Sequence, residues 1–91
     1  MLLLPETLTM REARDTLRLL KLALEREAEA VLVVDGSQLQ RFDSSALAVL
    51  LECRRLAQAW GKRFELNALP PKLAELARLY GIDELLTPQA A

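Results

Sequence analysis

The apolar positions of this chain follow two rhythms that alternate along it. Leu17, Leu20 and Leu24 recur at helical spacing, with Ala13 and Ala28 extending the stripe. Arg11, Arg14, Asp15, Arg18, Glu25, Arg26 and Glu29 lie largely on the other faces. That pattern predicts an amphipathic helix of about five turns, packed on one side. Its start is marked by Thr9 followed three residues later by Glu12, the spacing of a capping box. Upstream, "LLLPETL" at 2–8 reads as a short strand. Pro5 confines it to an edge or a strand end, because proline cannot donate to a ladder.

The rhythm then changes. "AVLVVDG" at 30–36 is a continuous apolar run closed by glycine, which predicts a strand buried on both faces with helices above and below. After a connecting "SQLQRF", residues 44–60 read as a second helix, stopped by Gly61 in the left-handed conformation. "KRFELNAL" alternates Phe64 and Leu66 as a third strand. "PPKLAELARLYGI" is a third helix with Pro71 at its first position and Leu73, Leu76, Ala77 and Tyr80 on one face. Gly81 stops it, with Ile82 folding back on Leu76 or Ala77 as in a Schellman cap. "DELL" reads as a last turn or short strand, and "TPQAA" as a frayed tail. Strand and helix thus alternate three times. The expectation is one small α/β domain over residues 1–87, with a mostly parallel or mixed sheet of about four strands, three main helices and a flexible tail at 88–91.

Composition narrows the function. The chain has 91 residues with a formal net charge of −1, and its acids and bases are interspersed. It lacks the basic footprint of a nucleic-acid binder. "MLLLPE" is too short for a signal-peptide core, and no run approaches the ~20 apolar residues of a spanning helix. A cytoplasmic protein without direct membrane insertion is expected. There is no histidine and a single cysteine, Cys53, so His-based triads and Cys/His zinc sites are excluded. Cys53 lies among Leu51, Leu56 and Ala57 and reads as an inert buried thiol. With no P-loop and no nucleophile beside a base, no catalytic residue, metal or cofactor is assigned. Asp35 and Asp43 are explained as strand-end and cap residues.

The second helix, "SALAVLLECRRLAQAW", holds more apolar surface than one docking face needs. Ala46, Leu50, Cys53, Ala57 and Trp60, with Val49 and Leu56 beside them, suffice to seat it on the sheet. Leu47 and Leu51 lie on another face, which continues to Arg54, Arg55 and Gln58. Two readings stand: they pack on a neighbouring helix or loop, or they form an exposed apolar strip edged by Arg that binds another protein. Just before them, Asp43 and Ser44 can supply the free N–H groups of the helix start, a cap that contributes about 1 kcal/mol. A serine there also tolerates a phosphate, which would add about two negative charges next to Asp43 and act as a charge switch.

The segment "VLVVDGSQLQRFDSSALAVLLECRRLA" resembles the centre of STAS domains. In that family a valine-rich strand ends in Asp, a loop of about seven residues follows, and Asp-Ser-Ser/Ala-Gly-Leu opens an apolar helix. Asp35, Asp43, Ser44, Ser45 and Leu47 match this pattern, with Ala46 where glycine is usual. The family opens with two strands and only one is read here, which leaves a sheet edge less protected and open to a homodimer. "LARLYGIDELL" is similar to the STAS subunit of the Mla phospholipid transport system. The resemblance implies a non-catalytic subunit that binds and stabilises or regulates the ATPase of an inner-membrane ABC transporter maintaining outer-membrane lipid asymmetry. Ser44 would lie at the contact. The alternative within the family is an anti-sigma-factor antagonist, switched by a serine kinase acting on the residue matching Ser45. On the first reading the partner surface is Arg41, Asp43, Ser44 and Ser45, with Leu47 and Leu51 as anchors and Arg54 and Arg55 on the rim. Ser45 and Ser44 are the candidate phosphorylation sites.

Overall fold

Pro5 divides the opening stretch in two. The computed structural model describes residues 2–86, and on either side of Pro5 it places two-residue strands, β1 (Leu2–Leu3) and β2 (Thr7–Leu8), where one strand was expected. The missing N–H of Pro5 ends the first pairing after the Leu4 amide has bonded the Asp35 carbonyl at 2.9 Å. The chain then crosses to a second partner: the Gln40 and Arg41 amides both donate to the Glu6 carbonyl, at 2.8 and 3.0 Å.

Helix α1 (Met10–Arg26) follows and ends one residue before Glu27, its C-cap, so Ala28 falls outside it. Strand β3 (Val31–Asp35) comes next, then β4 (Arg41–Phe42) within the segment expected to be only a connection. Helix α2 (Ser44–Ala59), strand β5 (Arg63–Asn67), helix α3 (Pro71–Leu79) and a four-residue helix α4 (Asp83–Leu86) complete the order. The segment "DELL" is therefore helical. The tail expected at 88–91 lies outside the described residues.

The strands form two sheets, one of order β1-β3-β5 and one pairing β2 with β4, and every pairing is parallel. The α/β class and the parallel sheet are as expected. Five strands replace four.

One expectation about the sheet is corrected. Leu32 and Val34 of β3 are 1% and 0% exposed, but Val31 and Val33 are only half-buried. All four helices contribute to a single core cluster, and the strand residues buried in it are Leu8 of β2, Leu32 and Val34 of β3 and Leu66 of β5. The opposite face pairs Val31 with Arg63 and Val33 with Glu65 and ends with the exposed Leu3 beside Asp35. None of these residues is buried, so the valine-rich strand is covered fully on one face and only partly on the other.

Two glycines stop helices as the sequence suggests. Gly61 and Gly81 have φ of 71° and 72°. Lys62 and Ile82 donate back to the Ala57 and Ala77 carbonyls at 2.8 and 2.9 Å, while Gly61 and Gly81 donate to Gln58 and Arg78, both at 3.0 Å. Both are Schellman motifs. Beyond the first, the Lys62 ammonium donates to the carbonyls of Glu27 and Glu29. A cation is thereby held at the C-terminal end of α1, where the helix dipole favours it.

Candidate functional site: the paired starts of two helices

Strands β2 and β4 pair Thr7 with Arg41 and Leu8 with Phe42. Each is followed by a single cap residue and then a helix. Their pairing therefore sets the N-termini of α1 and α2 side by side. Thr9 caps α1 in a complete capping box, with the Glu12 carboxylate accepting from the Thr9 amide at 2.9 Å. Asp43 caps α2: its Oδ1 accepts from the Ser45 amide at 2.8 Å. Its Oδ2 accepts from the Met10 amide at 3.1 Å. One carboxylate thus serves free amides of two helices and ties their starts together. The Ser45 amide first, then the Met10 amide and the Ser45 hydroxyl, hold the Asp43 carboxyl below its usual range. Hydrogen bonds from Thr9 do the same for Glu12. Asp35 plays a separate part, accepting from the Ser37 amide at 2.7 Å to shape the turn after β3, and Ser37 lowers its pKa.

The eight candidate residues divide by where α2 turns them. Ser44 is exposed and looks outward with Ala48, one helical turn on, and Arg55, two turns further. Ser45 is half-buried and faces α1. With Ala48, Val49 and Glu52 it lines a groove of about 420 Å³, whose other wall is Ala13, Arg14 and Leu17. Arg41 is exposed on β4.

Leu47 corrects the expectation of an exposed apolar strip: it is 2% exposed and belongs to the core. Leu51 is half-buried and packs against the same core. By helical spacing both lie on the flank of α2 turned away from α1, and α3 and α4 are the remaining helices that meet α2. Their apolar character is explained by that place in and against the core. Arg54 shares the flank, half-buried, with its guanidinium 3.5 Å from the Gln58 side chain. Arg55 donates from Nε to the Glu52 carboxylate at 2.9 Å, so its charge is already matched on its own helix. That carboxylate keeps the Arg55 pKa raised.

Two further residues depart from expectation. Trp60 and Tyr80, placed by spacing on buried faces, are 41% and 57% exposed, because each is the last residue before a glycine turn. Cys53 is buried as expected, and desolvation, helped by Glu52, pushes its thiol up to about 12.

Sequence reasoning missed Met10. It is 79% exposed at the first position of α1, adjoining Asp43 through its own amide. The available signal was an apolar residue in register with the Ala13–Leu17–Leu20–Leu24 stripe but at the first helical position, directly after a cap. The exposed residues at the two helix starts are Met10, Arg14, Ser44 and Ala48, with Arg41 exposed on β4 and Arg55 about three turns along α2 from Ser44. Among the described residues no buried side-chain nitrogen or oxygen lacks a hydrogen-bond partner. No described helix is long and apolar enough to cross a membrane.

A family model described as "Mlab, STAS domain" matches residues 1–87, nearly the whole chain. No curated protein matches it significantly. The STAS family is generally non-catalytic, which accords with a site built from helix caps and a small apolar surface. A parallel α/β sheet, a strand-end Asp35, an Asp43 cap with two serines opening an apolar helix, and the family match together show that the chain belongs to the STAS domain family and is MlaB-like.

Proposed function

We propose that this STAS domain is a docking subunit of an Mla-type phospholipid ABC transporter. It binds the cytoplasmic ATPase subunit and stabilises or regulates it, at the inner membrane and through that partner alone. The match of residues 1–87 to the MlaB-type family carries this reading. The surface that fits it is the shared start of α1 and α2. There Met10 supplies an exposed apolar anchor, Ser44 an exposed hydroxyl and Ala48 a small residue that allows close approach. Arg41 and Arg55 form the rim. Leu47 acts from within by holding α2 in place, and Leu51 and Arg54 lie to one side of the contact.

The phospho-switched antagonist is the weaker reading. Ser45 lines the groove together with Glu52 and sits beside the ionised Asp43. A phosphate there would meet two carboxylates and compete with Asp43 for the helix amides. Ser44, outside the groove, is the more accessible hydroxyl.

Co-purification with the candidate ATPase subunit tests the proposal. Met10→Asp and Ser44→Glu are expected to abolish capture while leaving the domain folded. Leu79→Asp, on the distant and 77% exposed end of α3, is expected to leave capture intact. Retained binding by both site variants would refute the surface. Stoichiometric phosphate on Ser45 in protein from its native host would instead favour the antagonist reading.

A further inference from the structure

Helix α1 has a second stripe that the monomer leaves uncovered. Asp15, Leu19, Leu22 and Arg26 follow one another at spacings of four, three and four residues, the a/d rhythm of a coiled-coil seam. Leu19 is 67% and Leu22 46% exposed, and Asp15 and Arg26 are exposed at either end. Arg18 and Glu25, also exposed, flank the stripe on one side. Among the described residues, none of these four charges makes an ion pair within the chain.

The order of the charges selects an occupant. Against a second α1 in antiparallel orientation, Leu19 falls opposite Leu22 of the other copy and Asp15 opposite Arg26. On the flank, Arg18 falls opposite Glu25. Every apolar and charged position is matched, and the two-fold axis repeats each pair. A parallel copy would oppose Asp15 to Asp15 and Arg26 to Arg26. An anionic lipid surface would meet Asp15 and Glu25 as well as the two arginines. We propose that α1 mediates an antiparallel homodimer through this stripe. The proposal stands apart from the partner-binding surface at the helix starts. The outer edge of β5, the longer of the two outer strands of the three-stranded sheet, is another route to a dimer, but its Arg63 and Glu65 already approach each other within the strand, at 3.9 Å.

The stripe spans about three helical turns, and a single helix face falls below the ~800 Å² per partner of a standard interface. The dimer is therefore weak, with a Kd on the order of tens to hundreds of micromolar.

Sedimentation velocity over a concentration series that brackets this range is the test. Wild type is expected to shift from monomer to dimer as concentration rises. Leu19→Asp should weaken association at least ~10-fold, and so should Asp15→Arg or Arg26→Asp alone, because each places like charges opposite. The double exchange Asp15→Arg/Arg26→Asp should restore the wild-type isotherm. All three substituted positions are on the surface, and unchanged circular dichroism verifies folding. A wild type that stays monomeric throughout would overturn the proposal. So would a dimer indifferent to Leu19→Asp, which would place the contact on another surface such as the β5 edge. A double exchange no better than the single ones would also overturn it.

Discussion

Asp43 is the residue on which the site turns, because it accepts from the first turns of both α1 and α2. Asp43→Ala should therefore lower the urea midpoint more than Thr9→Ala, which affects the cap of one helix only. Its ionisation also sets an acid limit. The pKa values of Asp43, Asp35 and Glu12 are all lowered in the fold, from ordinary values of 3.8, 3.8 and 4.5. Below those ordinary values the unfolded chain binds protons that the folded one still refuses. Stability should thus be complete above about pH 5 and decline as pH falls through 4 and below. Urea midpoints across pH 3–8 would check this, and with no histidine in the chain the region from pH 6 to 8 should be flat. Caps of this kind were legible in the sequence because they depend on residues two or three apart. The second bond of Asp43, to Met10 across 33 positions, was not.

At the scale of elements, α2 shows where sequence periodicity stops being informative. Spacing identified its core face and marked Leu47 and Leu51 as surplus, but spacing cannot say whether a neighbour covers a surplus. The answer depends on the assembled core, to which residues from far along the chain contribute. Leu47→Ala should cost about 2–5 kcal/mol, as for a core leucine. Leu51→Ala, at a half-buried position, should cost clearly less. Chemical denaturation would distinguish this from an exposed strip, in which both would be nearly silent. The helix ends were easier to read. Gly61→Ala and Gly81→Ala should each cost roughly 1–2 kcal/mol, since each forces a side chain into the left-handed region. Nothing lies within 4 Å of a Cβ built at either glycine, so the cost is conformational and not steric. The short strand β4 escaped notice, and β2 was not separated from β1, because two-residue pairings through Arg41 carry no apolar alternation.

Over the whole molecule, the order of elements predicted the α/β class, and a continuous apolar run misled about layers. Val31 and Val33 looked like the second face of a doubly covered strand. They instead lie on a face whose partners are Arg63 and Glu65, and the helices gather on the other side. A polar-alternating β5 next to an apolar β3 was the sign of one-sided cover, but the pairing that gives it meaning comes only with the fold. That one-sided arrangement leaves the starts of α1 and α2, joined by β2 and β4, as a continuous surface at one end of the domain. The central claim is that another protein binds there.

The most direct measurement is hydrogen–deuterium exchange of the domain alone and in complex with the ATPase subunit. New protection is expected over residues 9–14 and 44–52, with unchanged exchange in α3. Protection centred on α3 or on the outer edge of β5, with the helix starts exchanging as in the free domain, would contradict it.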